Sequence, residues 1–351
     1  MKNLYGIFII IFLIFITNLF AQEQDSLLLI GGTSTDGLYG YINREGEIVI
    51  KPKYDWACDF HEGVAVVRIG NEKHGFIDQT GKLLYECDSC YTQLEFSEGL
   101  ISVKYNDSPY YFIIDKFGKK AFDMGFMNAF DFQEGLAAVE FSKFGNTGFI
   151  NKNGDLVIDT IYSFTSSFTN GYASAYRPDL KLWGILDTKG NFTNILKGLY
   201  IAGEYHNGLF PVTDTSYKKW GYMNAKGEIV IGLKFRSAQG FSEGLAAVYF
   251  EDKGWGYIDT TGKVVIEPKF TAADMFSEGL ASVYYSSKLI VLGLTEAFIN
   301  RSGEVVIKGV FYDSQPFKHG ICQYWTGDDF SGDIEYIRND GKKIWPKLHK
   351  H

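Results

Sequence analysis

The chain has 351 residues, of which 22% are charged and 46% are hydrophobic, and its formal net charge is −8. The acidic balance and the lack of any basic block exclude a nucleic-acid-binding surface built on Lys and Arg. The length alone would suggest two domains, but a repeated pattern in this chain predicts a different organisation.

The first 21 residues have the pattern of a secretory signal peptide. Lys2 supplies a positive charge, residues 7–16 form an unbroken apolar core, and Ala21 ends the segment before Gln22. The apolar run is short for a membrane span, which favours cleavage after Ala21 over a retained anchor. We therefore expect a secreted or periplasmic protein without a membrane span after cleavage, beginning with a linker over residues 22–36.

From residue 37 to residue 345 the chain repeats one pattern with a period of roughly 36 residues. In the clearest copy, residues 241–270, an aromatic-x-Glu-Gly-apolar signature is followed by an Asp/Asn-x-x-Gly signature. The first signature recurs with its glycine at Gly63, Gly99, Gly135, Gly171, Gly208, Gly244, Gly279 and Gly320. The second recurs at Gly46, Gly81, Gly118, Gly154, Gly190, Gly227, Gly262, Gly303 and Gly341. Two signatures with one period predict a tandem array, followed by a tail over residues 346–351.

Each copy predicts an antiparallel β-meander. Gly244 opens a strand over residues 245–249 that is apolar on both faces, as expected for a layer covered by neighbours on both sides. Residues 255–258 and 264–266 form two more strands around a type I turn with a bulge. A short fourth strand can precede the next aromatic residue, and no amphipathic helix pattern occurs. The sequence thus predicts an all-β array of three- to four-stranded, propeller-blade-like units.

The number of signatures bears on how the array ends. Nine hairpin signatures stand against eight Glu-Gly signatures, which gives eight units plus an extra hairpin. Both ends carry the same hairpin instead of complementary halves of one blade. This slightly favours an open, curved array over a closed β-propeller, although eight units also fit the blade number of known propellers.

At these positions the chain resembles the WG (or KWG) repeat family of bacterial proteins. Trp183-Gly184, Trp220-Gly221 and Trp255-Gly256 match the motif, and Lys219 completes its longer form. Three units have another residue in place of the glycine and should bend or pack differently. These residues are Phe112, Ala297 and Glu335. The resemblance implies a repeat scaffold without an assigned chemistry.

A column of acceptor side chains precedes the glycine of the first signature. It consists of Glu62, Glu98, Glu134, Asn170, Asn207, Glu243, Glu278 and His319. One interpretation is a row of carboxylates that binds cations or sugar hydroxyls. The favoured interpretation is that each side chain accepts local backbone N–H bonds before its strand, with Asn substituting as an acceptor.

The four cysteines do not form a metal site. Cys87 and Cys90 have the spacing of a redox motif but lie between two β-strands instead of at a helix start. A local Cys87–Cys90 disulfide is favoured in an exported chain, with free thiols as the alternative. Cys322 is predicted to be buried.

No motif predicts catalysis. The histidines are scattered, and there is no Gly-x-Ser-x-Gly, His-Glu-x-x-His or phosphate-binding glycine loop. The acidic loop with Asp328, Asp329 and Asp333 lacks EF-hand spacing, so we interpret it as solvated and not as a Ca²⁺ site. We expect no catalytic residue, no cofactor and no metal.

Aromatic residues are the candidate ligand-facing groups. Trp183, Trp220 and Trp255 occupy one repeat position, and Trp325 begins a polar loop. They could stack on sugars or peptide side chains, or pack between neighbouring units. We therefore expect a non-enzymatic scaffold that presents a protein-binding surface in the bacterial envelope or outside the cell. The alternatives are a glycan-binding module and, ranked lower, a propeller-type enzyme.

Overall fold

The computed structural model describes residues 27–30, 37–70, 73–93, 95–143, 145–195, 197–286, 294–309, 311, 314–325 and 334–344. The signal peptide expected over residues 1–21 and the tail over residues 346–351 lie outside these ranges. Within them the secondary structure is β-strand, and no helix is long and apolar enough to span a membrane.

The chain divides into two compact units, Met1–Gly125 with Ile344–His351, and Phe126–Lys343. The first unit contains sheet 1 (β1 Leu28–Ile30, β2 Tyr39–Ile42, β3 Ile48–Tyr54), sheet 2 (β4 Trp56–Ala57, β5 Val64–Ile69, β6 Lys73–Asp78, β7 Leu83–Asp88) and sheet 3 (β8 Cys90–Thr92, β9 Leu100–Tyr105, β10 Tyr111–Asp115).

The described residues form six further sheets, which begin in the second unit and are given in chain order; the last of them ends at Ile344, which is assigned to the first unit. They are sheet 4 (β11 Asn128–Gln133, β12 Leu136–Glu140, β13 Thr147–Asn151, β14 Leu156–Tyr162), sheet 5 (β15 Phe164–Thr165, β16 Tyr172–Arg177, β17 Leu182–Asp187, β18 Phe192–Asn194), sheet 6 (β19 Leu199–Ile201, β20 Phe210–Asp214, β21 Trp220–Met223, β22 Ile229–Phe235), sheet 7 (β23 Ser237–Ala238, β24 Leu245–Phe250, β25 Gly254–Asp259, β26 Val264–Phe270), sheet 8 (β27 Ala272–Ala273, β28 Leu280–Ser286, β29 Leu294–Asn300, β30 Val305–Lys308) and sheet 9 (β31 Ile321–Trp325, β32 Ile334–Arg338, β33 Lys343–Ile344).

Within each sheet the strands run in chain order and pair antiparallel, and six of the nine sheets have four strands. The predicted all-β array of tandem antiparallel repeats is therefore confirmed. The additional hairpin, β2 and β3, builds sheet 1 together with β1. Strand β1 uses residues 28–30, which belong to the segment expected as a linker.

The second strand of each sheet is buried on both faces, as β24 illustrates. Leu245 and Ala247 belong to a cluster shared with sheet 8, whereas Ala246 and Val248 belong to a cluster shared with sheet 6. This alternation is the two-residue period of a strand. An isolated sheet of this kind would leave two apolar faces in water, so its stability depends on its neighbours.

The hairpin formed by the last two strands of a sheet has the turn that the Asp/Asn-x-x-Gly signature predicts. Asp259 Oδ1 accepts the backbone N–H of Thr261 at 2.9 Å and that of Lys263 at 3.0 Å, and Gly262 has a φ of +84°. Asn43, Asn151, Asn224 and Asn300 make the same pair of bonds in their own turns.

In four of the described sheets the WG glycine is required because the last strand of the sheet bulges over it, whereas Gly75 and Gly184 pair directly with Glu86 and Asn194. In sheet 7, Trp255 pairs with Phe270 but Tyr257 pairs with Ile266, so three residues of β26 lie opposite Gly256. A Cβ atom on Gly256 would lie 2.7 Å from the carbonyl oxygen of Ile266 and 2.8 Å from the nitrogen of Pro268. The same close approach occurs at Gly40, Gly148 and Gly221.

Two of the three units that lack this glycine also lack the bulge within the described residues. Phe112 lies on β10. The described residues of sheet 3 form three strands, and β10 is an edge strand of this sheet. Ala297 pairs directly with Lys308 in sheet 8, and Glu335 lies beside β33, a strand of two residues. A side chain is tolerated at Phe112 and Ala297 because no described strand bulges over them.

We predict that Gly256→Ala lowers the free energy of unfolding by at least about 2 kcal/mol, because the new methyl group meets backbone atoms that cannot rotate away. Gly232→Ala is the matched control, since nothing lies within 4 Å of a Cβ atom there. Denaturant titration of both variants checks this. Equal stability of the two variants would contradict the bulge as the reason for the glycine.

We predict that Asp259→Asn leaves the free energy of unfolding at neutral pH nearly unchanged. The decrease of this free energy at acid pH should be smaller in the variant than in the native protein. The hydroxyl of Thr261, followed by the backbone N–H groups of Lys263 and Thr261, holds the pKa of Asp259 below its usual value of 3.8. A lowered folded-state pKa contributes stability above the unfolded-state value, and this contribution is lost as the pH falls through the folded-state value. Unfolding curves recorded from neutral pH to below pH 3.8 should show a smaller acid loss for the variant.

Asp252→Asn is the control for the acid series. Asp252 is exposed and accepts no hydrogen bond from the residues that the structure describes. If Asp252→Asn changes the loss of stability at acid pH as much as Asp259→Asn does, the hydrogen bonds of the Asp259 turn are not the cause of that loss.

Candidate functional site

The acceptor column lies in two-residue turns that join the first and second strands of the repeat. In each turn both central residues have positive φ, for example Glu98 at +53° and Gly99 at +83°. The flanking residues Ser97 and Leu100 exchange two backbone bonds of 3.0 and 3.1 Å. The backbone N–H groups of two consecutive left-handed residues form a concavity suited to an anion.

The carboxylate of one repeat binds the turn of the next repeat. In the first unit, Glu62 accepts the N–H of Glu98 at 2.8 Å and that of Gly99 at 2.7 Å. In the second unit, Glu278 accepts the N–H groups of His319 and Gly320, both at 2.6 Å. We call this series of side chain-to-turn bonds the turn ladder.

Three further steps of the turn ladder lie in the second unit. Glu134 accepts the N–H of Gly171 at 2.8 Å, Asn207 accepts that of Gly244 at 3.1 Å, and Glu243 accepts that of Gly279 through both oxygens. The prediction that these side chains accept local N–H bonds was therefore wrong about the partner. The acceptor role is correct, but the donors lie one repeat further along the chain.

Asn170 departs from this arrangement. Its Nδ2 donates to the carbonyl oxygen of Tyr205 at 3.0 Å, so the expectation that Asn acts here as an acceptor was wrong. Asn is one methylene shorter than Glu, and the side chain bonds to the residue before the next turn instead of to the turn itself.

The three tryptophans of the repeat position are half-buried. Trp255 packs edge-on against Tyr249 with 5.7 Å between the ring centroids, and Trp220 Nε1 donates to the carbonyl oxygen of Tyr217 at 3.3 Å. Each of the three also contacts a hydrophobic cluster. Trp325 ends β31, and its side chain lies outside the described residues.

Trp183 lies within a larger group of rings that the sequence did not single out. We call this group the aromatic patch: Phe164, Tyr176, Trp183, Tyr200 and Tyr217. Trp183 contacts Phe164, Tyr176 and Tyr200 at centroid distances of 6.5, 5.6 and 6.4 Å. Tyr200 stacks on Tyr217 at 5.4 Å with an interplanar angle of 25°. Phe164 is 64% exposed and Tyr217 is 59% exposed.

The cysteines occupy two kinds of environment. Cys87 and Cys90 are buried where β7 meets β8, and their Cα atoms lie 6.0 Å apart, a separation that a disulfide can span. Cys322 is fully buried, and burial followed by the nearby Glu296 carboxylate raises its pKa to about 12. Burial, then the charges of Asp59 and Glu95, raises the pKa of Cys58 to about 12 as well. Both free thiols are therefore poor nucleophiles at neutral pH.

Two buried carboxylates replace repeat residues in sheets 8 and 9. Glu296 takes the tryptophan position and is 2% exposed; its Oε1 accepts the hydroxyl of Ser282 at 2.5 Å and that of Ser314. Glu335 takes the glycine position and accepts the hydroxyl of Tyr324 and, at 3.2 Å, Nζ of Lys343. Both positions break the repeat in the sequence: Glu335 was identified in this way as a replacement of the glycine, and the same signal could have identified Glu296.

Groups that could hold a metal are not assembled in the described ranges. No cluster of three or more His, Cys, Asp or Glu side chains with that capacity occurs there. Asp328, Asp329 and Asp333 lie outside these ranges. His206 Nε2 lies 3.3 Å from Glu204 Oε2, and His61 Nε2 lies 3.2 Å from Glu95 Oε1.

We predict that Glu278→Gln lowers the free energy of unfolding by about 1–2 kcal/mol, because one of two charge-assisted bonds to the next turn is lost. The control is Glu251→Gln, which neutralises an exposed carboxylate that accepts no hydrogen bond from described residues. Denaturant unfolding of the two variants measures the difference. A loss of the same size in the control would show that net charge, and not the turn ladder, is responsible.

Solved structures resemble this chain at low sequence identity. A crystal structure of the eukaryotic initiation factor superposes with a TM-score of 0.63 over 92% of this chain and 95% of that one, at 11% identity. The designed protein Ika8 gives 0.45 over 82% and 94%, at 12% identity. BamB from Moraxella catarrhalis gives 0.43 over 83% and 96%, at 8% identity. The likeness to the first structure shows a common fold alone.

Among curated proteins, none matches the sequence. The repeat family described as "WG containing repeat" does match, at residues 39–72, 111–142, 148–175, 220–253, 255–288 and 297–324. These six segments together cover more than half of the 351 residues. Four of the six matched segments contain a glycine under a bulged strand, Gly40, Gly148, Gly221 and Gly256, and the chain belongs to the WG repeat family.

Proposed function

We propose that the protein is an exported, non-enzymatic repeat scaffold that presents a surface for a protein partner in the bacterial envelope or outside the cell. The observation that carries this proposal is the aromatic patch on sheets 5 and 6. The export part rests on the signal-peptide pattern of residues 1–21.

The aromatic patch has the composition of an interaction site. Its rings contact one another in an unbroken series from Phe164 to Tyr217, and the two end members are more than half exposed. Tyr and Trp are enriched where proteins bind one another, because a rigid ring buries a large area at a low cost in side-chain entropy. A contiguous exposed apolar group of this kind marks an interaction site more often than scattered single residues do.

Two lysines lie close to members of the aromatic patch along the chain. Lys181 lies at the tip of the turn between β16 and β17, and Lys218 follows Tyr217 directly. Leu180, beside Lys181, is 45% exposed. An apolar centre with a charged rim is the usual anatomy of a protein interface, in which the centre supplies most of the affinity.

A glycan is the second candidate ligand, favoured by one feature of the aromatic patch. The Tyr200 and Tyr217 rings are stacked at 25°, and Tyr217 is 59% exposed, which offers a flat ring face to solvent. A sugar ring could stack on this face. A carbohydrate array probed with the mature protein tests this candidate, and absence of binding would remove it.

The protein-binding proposal is tested by crosslinking in cells followed by mass spectrometry of the tagged mature protein. We expect a reproducible envelope or extracellular protein whose capture is lost in the Phe164→Ala, Tyr217→Ala double variant. Phe117→Ala is the matched control, because Phe117 is 61% exposed and makes no ring–ring contact within the described residues. Capture that persists in the double variant, or no reproducible partner, would overturn the proposal. Recovery of the tagged protein only in the cytoplasm would overturn its export part.

A further inference from the structure

One turn of the turn ladder lacks the side-chain acceptor that five other turns have. The N–H groups of Gly99, Gly171, Gly244, Gly279 and Gly320 all donate to a side chain of the preceding repeat. In the turn Asn207–Gly208 the corresponding side chain is Asn170, which donates to Tyr205 instead. The N–H of Gly208 has no acceptor in the part of the chain that the structure describes.

The geometry of this turn is the same as that of the occupied turns. Asn207 has a φ of +49° and Gly208 of +85°, compared with +54° and +78° for His319 and Gly320. His206 and Leu209 exchange backbone bonds of 3.1 and 3.0 Å, as their equivalents do. The N–H groups of Asn207 and Gly208 are therefore arranged as in the turn that binds the Glu278 carboxylate.

A cleft lies at this turn. It has a volume of about 460 Å³, and its lining includes Asn170, Asn207, Gly208, His206 and Met275. Met275 is 46% exposed and gives the cleft an apolar wall, while the imidazole of His206 adds a polar group. Both Asn207 and Gly208 are exposed, so a ligand in the cleft can reach their N–H groups.

The chain itself shows which chemistry fits. Where Glu precedes the turn, its carboxylate receives one or two N–H bonds of 2.6–3.2 Å from the next repeat. The neighbouring carboxylate at the cleft, Glu243, already binds the N–H of Gly279 and does not fill the vacant turn. From the vacant turn and its cleft we infer that the Asn207–Gly208 turn binds an external carboxylate. This carboxylate takes the place of the glutamate that the repeat has lost at residue 170.

Two sources can supply this carboxylate, an acidic side chain of a polypeptide or a free small carboxylic acid. The inference does not depend on the aromatic patch, which consists of other residues. Its failure would leave the proposed function standing, and the reverse also holds.

The test uses the full mature chain, isotopically labelled, and follows the Asn207 and Gly208 amides by NMR. The probes are acetate, the capped peptide acetyl-Ala-Glu-Ala-amide and its Gln counterpart. We expect saturable shifts of both amides with acetate or with the Glu peptide, and none with the Gln peptide. Tighter binding of the Glu peptide than of acetate assigns a polypeptide source, and equal or tighter binding of acetate assigns a free acid.

Asn170→Glu is the decisive variant, because it gives the turn the side chain that other repeats carry. We expect the new carboxylate to occupy the turn and to weaken binding of both probes by at least about tenfold, which corresponds to about 1.4 kcal/mol. Thermal unfolding should show a melting temperature equal to or above that of the native protein.

Asn153→Glu adds the same charge at an exposed residue in the turn between β13 and β14, away from the cleft lining, and should leave binding unchanged. Absence of shifts at Asn207 and Gly208 in the native protein would overturn the inference. Undiminished binding in Asn170→Glu, or an equal loss in Asn153→Glu, would overturn it as well.

Discussion

Burial of the second strand on both of its faces is the constraint on which the rest of the structure depends. Alternate residues of β24 enter clusters shared with the sheets on either side. A sheet of this kind therefore cannot bury its own apolar surface without neighbours on both faces. The same requirement explains why buried aromatic rings recur at equivalent places, such as Phe241 and Phe276. Each of these rings packs on a tyrosine of the preceding sheet, Tyr222 and Tyr257, at 4.7 and 4.9 Å.

Polar bonds between repeats then fix the position of one sheet on the next. The hydroxyls of Tyr41, Tyr222 and Tyr257 donate to the carbonyl oxygens of Cys58, Gln239 and Asp274, always seventeen residues further along the chain. Burial raises the pKa of all three tyrosines, so they remain neutral donors. Apolar packing is not directional, whereas these bonds and the turn ladder set a single register between neighbours.

Local features were predictable from the sequence, and contacts between repeats were not. The Asp259–Gly262 turn depends on residues four apart, so its signature specified it fully. The bond from Glu62 to Gly99 joins residues of different repeats, and a single turn signature carries no information about such a partner. Strand β1 was missed because residues 28–30 lack any repeat signature and form a strand only by pairing with β2. The exposure of Phe164 and Tyr217 depends on what the neighbouring sheets leave uncovered, which the repeat pattern does not reveal.

The turn ladder points one way along the chain, from the carboxylate of an earlier repeat to the backbone of a later one. A duplicated repeat inserted between two others would therefore bring its own acceptor for the following copy and its own donors for the preceding copy. Gene duplication could lengthen such a protein without redesign of any junction. A copy whose side chain at this position does not accept from the next turn, like the one with Asn170, interrupts the series and leaves the N–H groups of the following turn without a partner from the preceding repeat.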